Sequence, residues 1–178
     1  MNRYYITTAI AYPNGQPHIG HAYEAIATDW LARFARLDGR DVFFLTGTDE
    51  HGLKIAQAAR KAEVSPKAFV DDMVQYFKAM DERLQISFDR FIRTTDADHK
   101  AAVQLLWKRM ADAGDIYLDR YEGWYSVRDE AYYDEEDIVT ADDGTKLAPT
   151  GTAVEWTVEE SWFFRLSRYQ QPLLDLFA

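Results

Sequence analysis

A chain of 178 residues with 47% hydrophobic and 15% aromatic content is long enough to bury one full core, or one domain and part of another. No apolar run approaches the length of a membrane span, the first residues lack the apolar stretch of a secretory signal, and the absence of cysteine excludes disulfides and thiolate zinc sites while permitting a reducing cytosol. The net charge of −10 is uneven, with 16 acids and 15 bases in residues 1–115 but 14 acids and 5 bases in residues 116–178, so the chain is a poor autonomous nucleic-acid binder.

Residues 3–10 are rich in Tyr, Ile and Thr and predict a buried strand. A punctuated segment follows, Ala11-Tyr12-Pro13-Asn14-Gly15-Gln16-Pro17, and then a helix over 18–37. Ile19, Ala22, Tyr23, Ile26, Trp30, Phe34 and Leu37 keep the three-and-four spacing of one apolar face, with Gly39 as the stop. Residues 41–46 contain the continuous apolar run of a strand buried on both faces, ending in Gly47-Thr48-Asp49-Glu50-His51-Gly52. Residues 53–62 read as helical. Ser65-Pro66 caps a further helix with Phe69, Val70, Met73, Phe77, Met80 and Leu84 on its apolar face. A third strand is expected at 89–94. Thr95 or Asp96 then caps a helix bearing Val103, Leu106, Trp107 and Met110, closed by Gly114.

The resulting order, strand–helix–strand–helix–helix–strand–helix, predicts an α/β fold with a parallel sheet over 1–115. From Ile116 helical periodicity gives way to short aromatic runs at 116–121, 123–127 and 131–133, a turn at Asp142-Asp143-Gly144 and a strand at 162–166. This predicts a second, mostly β piece over 116–178. Ser167 caps a last helix that stops in mid-pattern at Ala178. With only three parallel strands in sight, the expectation is a fragment of a longer protein.

Two turns carry candidate chemistry. His18-Ile19-Gly20-His21 stands where a strand has ended and a helix begins, a place with free N–H groups and partial positive charge that suits a phosphate. Gly20 would let a flat ligand approach the backbone. The second strand delivers Asp49, Glu50 and His51. Ligands of open α/β sheets bind beyond the carboxyl ends of the strands, so the two turns could frame one pocket. Asp49 would be its anionic pole, the histidines its phosphate pole, and Ile10 and Tyr12 its apolar lining. Such a pocket suits an amino acid whose carboxylate attacks the α-phosphate of ATP, with positioning and charge stabilisation as the protein's contribution. Each feature also has a plainer reading: the histidines can cap the helix, Gly47 and Gly52 can be turn residues, and Asp49 can cap the next helix. A rival reading makes His18, His21, Asp49 and His51 the metal ligands of a hydrolase. A third is a non-catalytic, truncated binding module.

The stretch from Thr7 to Tyr23, with the motif His18-Ile19-Gly20-His21, and the stretch Phe43-Phe44-Leu45-Thr46-Gly47-Thr48-Asp49-Glu50-His51-Gly52 resemble the methionyl-tRNA synthetases, a family of class I aminoacyl-tRNA synthetases. The resemblance continues through Glu122-Gly123-Trp124-Tyr125, Val154-Glu155-Trp156 and Glu160-Ser161-Trp162-Phe163-Phe164-Arg165-Leu166. It implies the first half of a Rossmann-type nucleotide-binding domain at 1–115, and at 116–178 the start of a connective insertion whose usual partner is the acceptor end of tRNA(Met). It implies a cytoplasmic ligase using methionine and ATP with Mg2+. His18 and His21 would be catalytic, and His18, Gly20, His21 and Glu24 would bind ATP. Ala9, Ile10, Tyr12 and Asp49 would bind methionine, Asp49 through the ammonium. Zinc-bearing members place paired cysteines where this chain has Ser126 and Asp129, so a zinc-free branch is expected. The class's lysine-rich loop and an anticodon-binding domain are missing from these residues, which makes the isolated chain half an active site, expected to be inactive alone.

Overall fold

Strand β1 (Arg3–Thr7), helix α1 (Ile19–Leu37) and strand β2 (Asp41–Thr48) form the first βαβ unit. Helices α2 (Leu53–Lys61) and α3 (Pro66–Arg83) then return the chain to strand β3 (Arg90–Arg93). The computed structural model describes residues 2–178 and divides them into two units, one ending at Gln104 and one running from Leu105 to Ala178, with the division inside helix α4 (Ala97–Asp112).

In the first unit the sheet is parallel throughout, ordered β1-β2-β3, with Ile6 opposite Phe44 and Gly47 opposite Ile92. This is the α/β arrangement expected from the sequence. Right-handed crossovers in this strand order place α1, α2 and α3 on one face of the sheet. Phe44 is fully buried, whereas neighbouring Phe43 points the opposite way, remains 46% exposed and stacks on Tyr5. Strand β1 stops at Thr7 rather than residue 10 because the Ala9 N–H leaves the ladder and donates to Glu24 Oε1 at 2.7 Å. Pairing resumes for one residue at Ala11, which bridges Thr48, and β2 correspondingly runs two residues past the expected end.

Helix α1 overturns the expected core face. Ile19 and Leu37 are 87% and 89% exposed, and Tyr23, Ile26, Trp30 and Phe34 are exposed as well. The buried side is Ala25, Thr28, Asp29, Ala32 and Ala35. Small side chains let the helix approach the strands closely, and the large apolar ones are left on the outer side. Buried Asp29 is satisfied by the Ser87 N–H at 2.7 Å, the Ser87 hydroxyl at 2.5 Å and Arg33 Nε at 2.6 Å. Burial pushes its carboxyl up, and these hydrogen bonds outweigh that and hold it below its ordinary value. Helix α3 starts as expected, with Ser65 Oγ accepting the Ala68 N–H at 3.2 Å ahead of Pro66. Its buried row is Val70, Val74, Phe77 and Asp81, rotated from the expected stripe so that an acid takes a core place.

Helix α4, which the division between the units crosses, buries no residue, although Val103, Leu106, Trp107 and Met110 were expected to pack. Strand β4 (Ile116–Ser126) is one continuous strand across Gly123. Strand β5 (Ala131–Tyr133) pairs with its end. Strands β6 (Val139–Thr140) and β7 (Lys146–Leu147) form a small hairpin, and β8 (Glu155–Phe164) runs antiparallel to β4 from Ile116↔Phe164 to Tyr125↔Glu155. Strand β8 therefore begins well before the expected residue 162. Ser167 lies in a 3₁₀ turn (Leu166–Tyr169), and helix α5 (Gln170–Phe177) starts at Tyr169 without a side-chain cap. Among the described residues no helix is long and apolar enough to cross a membrane.

Candidate functional site

His18 is the N-cap of α1. Its Nδ1 accepts the Gly20 N–H at 3.1 Å, while His21 Nδ1 accepts the His18 N–H at 3.1 Å, a reciprocal capping box built from two imidazoles. The rings stack with centroids 3.9 Å apart, and the His21 ring meets Phe77 edge-on at 5.2 Å. Both Nδ1 atoms are thus spent on the helix end, and both Nε2 edges remain for other partners. Burial, and then the neighbouring His18, lower the His21 pKa, with Glu24 opposing them. Gly20 has a local reason as well: a Cβ there would lie 2.9 Å from His18 Cε1, so any other residue would displace the capping ring.

The loop after β1 is tied to the turn after β2 through Ala11. Its N–H donates to the Gly47 carbonyl at 3.1 Å, and its carbonyl accepts the Asp49 N–H at 2.9 Å. Ile10 and Tyr12, on either side of Ala11, are 37% and 50% exposed. Asp49 is half-buried and accepts the His51 N–H at 3.5 Å. Ala9, His21 and Glu24 line one narrow cavity with Thr8, Thr46 and Asp81. Gly47 is a packing requirement, since a Cβ there would lie 1.9 Å from the Ile92 carbonyl oxygen. Gly52, at φ +113°, opens α2.

Beneath the Asp49 turn lies a charged network that the sequence reading passed over. The Glu50 side chain has no exposed surface, and it accepts Arg93 Nε at 2.6 Å, Arg93 NH2 at 2.9 Å, Thr48 Oγ1 at 2.8 Å and Thr95 Oγ1 at 2.5 Å. Arg93 also reaches Asp71 at 2.6 Å. The Glu50 N–H donates to the Thr94 hydroxyl, which also bonds His51 Nδ1 at 3.0 Å. Burial pushes the Glu50 carboxyl up, but the bonds from Arg93, Thr95 and Thr48 hold it below its ordinary value. The available signal was positional: Glu50 and Arg93 each stand at the carboxyl end of a strand, and neighbouring parallel strands bring those ends together.

The family described as tRNA synthetases class I (M) matches residues 4–178. The chain belongs to that family. It is 59% identical over 175 residues to a methionine–tRNA ligase of Mesorhizobium japonicum and 62% identical over 175 residues to one of Mycobacterium bovis, covering 98% of this chain and 34% of each relative. The Mycobacterium tuberculosis methionyl-tRNA synthetase, solved in complex with methionyl-adenylate, superimposes with a TM-score of 0.88 at 60% identity, covering 99% of this chain and 35% of that one. The chain therefore spans about a third of the length of the curated relatives it matches. The parallel-sheet unit has the Rossmann-type architecture of the family.

The rival metal reading fails on geometry. Among the described residues no three His, Asp or Glu side chains are grouped to hold a metal ion, so His18, His21, Asp49 and His51 do not form a metal centre.

Proposed function

We propose that this chain works as part of a methionine–tRNA ligase. The whole protein would activate methionine with ATP to methionyl-adenylate and transfer it to the 3′ end of tRNA(Met). The observation that carries this reading is the backbone link through Ala11, which keeps the loop bearing Ile10 and Tyr12 beside the turn bearing Asp49 at the carboxyl edge of the parallel sheet.

In this reading Asp49 binds the methionine ammonium, and Ala9, Ile10 and Tyr12 enclose the thioether side chain. A methionine carboxylate oxygen attacks the α-phosphorus of ATP, the bond to the bridging oxygen breaks, and pyrophosphate leaves. His18 and His21 offer Nε2 edges to the triphosphate at the positive end of α1. Gly20 keeps the helix start open to the nucleotide, and Glu24 faces the adenosine. Mg2+ enters with ATP as part of the substrate and offsets phosphate charge. The terminal hydroxyl of tRNA then attacks the adenylate carbonyl and releases AMP. A lysine-rich loop and an anticodon-binding domain elsewhere in the whole enzyme complete the site, which operates in the cytoplasm with its tRNA. Residues 1–115 act as the first half of the catalytic domain and 116–178 as the start of the connective insertion.

The insertion's donor set does not fit zinc. Ser126, Asp129, Thr150 and Thr152 offer only oxygen, and these atoms bond one another: Thr150 and Thr152 donate to Asp129 Oδ2 at 2.6 and 2.5 Å, and the Asp129 N–H donates to Ser126 Oγ at 3.2 Å.

The test is methionine-dependent ATP–pyrophosphate exchange by the whole protein. His21→Ala is expected to lower kcat by roughly 100-fold, as loss of a transition-state donor does. Asp49→Ala is expected to raise KM for methionine. Exchange driven by another amino acid, or wild-type rates in both variants, sinks the reading. The isolated 178-residue chain is expected to give no exchange.

A further inference from the structure

Asp81 lies on α3 and is 5% exposed. Burial alone raises its pKa to about 6, with no neighbouring donor or cation to bring it down. A carboxylate kept in such a place without a partner is costly, and a leucine would pack there at less cost. Its surroundings suggest what it is for. Asp81 lines a cavity of about 30 Å³ together with His21, Glu24, Thr8 and Thr46. A water needs about 10–15 Å³ of such space and two to four polar partners.

We propose that Asp81 is a positioning residue for His21, acting through a water held in the cavity that the two side chains share. The inference rests on His21 serving the adenylation site. His21 Nδ1 already accepts the His18 N–H, so the proton of the neutral ring lies on Nε2. The ring is held by His18 on one face and Phe77 at its edge. The water relays the Asp81 carboxylate to the His21–Glu24 wall, steadying the capping box from behind. The other walls leave this link undisturbed. The Thr8 and Thr46 hydroxyls bond each other at 2.7 Å, Glu24 Oε1 is engaged by the Ala9 N–H, and Phe91 carries Lys78 Nζ at 5.3 Å from its ring centroid. His21 and Glu24 are therefore the ionisable groups facing Asp81 across the cavity, with Lys78 on the ring of Phe91.

Asp81→Leu and Asp81→Asn in the whole protein test this. Asp81→Leu is expected to raise Tm yet lower kcat of methionine-dependent exchange by about tenfold or more, with KM for methionine unmoved. The ¹⁵N signals of the His21 ring should shift as the ring loses its support from behind. Asp81→Asn, which can still hold the water, should recover most of kcat and lose the acid limb near pH 6. A raised Tm with unchanged kcat and unchanged His21 signals in Asp81→Leu makes the acid a mere burden and overturns the proposal. If Asp81→Leu does not fold, an unchanged pH profile in Asp81→Asn overturns it instead. Absence of exchange in the unmutated protein defeats the functional reading, and the His21 signals still decide the Asp81 link.

Discussion

The two units bury polar groups in different ways. The first encloses Glu50 completely and answers it with Arg93, beside an apolar core of Phe44, Ile55, Val70, Val74 and Phe77. In the second, the buried apolar side chains among the described residues are Ala148 and Val154. Its order comes from the long β4–β8 ladder and from aromatic pairs such as Trp124–Trp156, with centroids 5.4 Å apart, and Tyr121–Tyr132 at 4.5 Å. It gathers its polar groups around the half-exposed Asp129 instead. A dry ion pair fails sharply when one partner goes, because the other charge is stranded. A cluster of hydroxyls around a half-exposed carboxylate loses its members more gradually, because water can reach the carboxylate that each one leaves. The first unit should therefore be brittle to single changes, and the second tolerant.

Arg93→Ala is the strongest way to break that contrast. It leaves Glu50 buried without its guanidinium and is expected to destabilise the first unit by about 3–5 kcal/mol in urea unfolding. Adding Glu50→Gln should recover part of the loss, because the stranded charge is then gone. A loss below about 1 kcal/mol would make this unit as tolerant as the other.

Gly47→Ala follows. The added methyl would sit 1.9 Å from backbone oxygen of β3, which has no rotamer to give way, so β2 and β3 must part. The expected loss is about 1–3 kcal/mol. Unchanged thermal unfolding would mean that the strands separate freely.

The parallel strands and most helix limits were legible in the sequence, because a continuous apolar run, a Ser-Pro start and a glycine stop are local signals. The outer faces were not. The large apolar residues of α1 kept a clean stripe, yet closeness to the sheet selected the alanine side, and hydrophobic size cannot report which face must come near. The roles of His18 and His21 were half-legible. The motif named the residues, but that both Nδ1 atoms close the helix end depends on ring orientation. Glu50 with Arg93, and Asp81 on its cavity, escaped because 43 residues separate the first pair and α1, β2, α3, β3 and the segment after β1 together build the second.

His18→Ala sharpens the contrast inside the first unit by removing a cap rather than a core charge. Loss of the Nδ1 acceptor at Gly20 is expected to cost about 1 kcal/mol of stability. The same change should abolish most exchange activity under the proposed function. Stability falling by several kcal/mol would make the ring a core element, and its activity loss could no longer be read as chemistry.

Asp129 gives the smallest effect and tests the tolerant unit through pH. Hydroxyls of Thr150, Thr152 and Tyr133 donate to its carboxylate, and the donors from Thr150 and Thr152 dominate in holding its pKa down at about 2, below the ordinary 3.8. A carboxyl depressed in the folded state contributes stability that is fully present above 3.8 and is lost as pH falls through about 2. Four of the five tryptophans, Trp107, Trp124, Trp156 and Trp162, belong to this unit, so intrinsic fluorescence follows it. The unmutated protein should weaken progressively between those two pH values. Asp129→Asn keeps the shape and loses the titration, so its Tm should be slightly lower at neutral pH and flatter across the acid window. A sharp loss of the whole fluorescence transition at neutral pH would place Asp129 with Glu50 as a brittle centre, and the contrast between the units would fall.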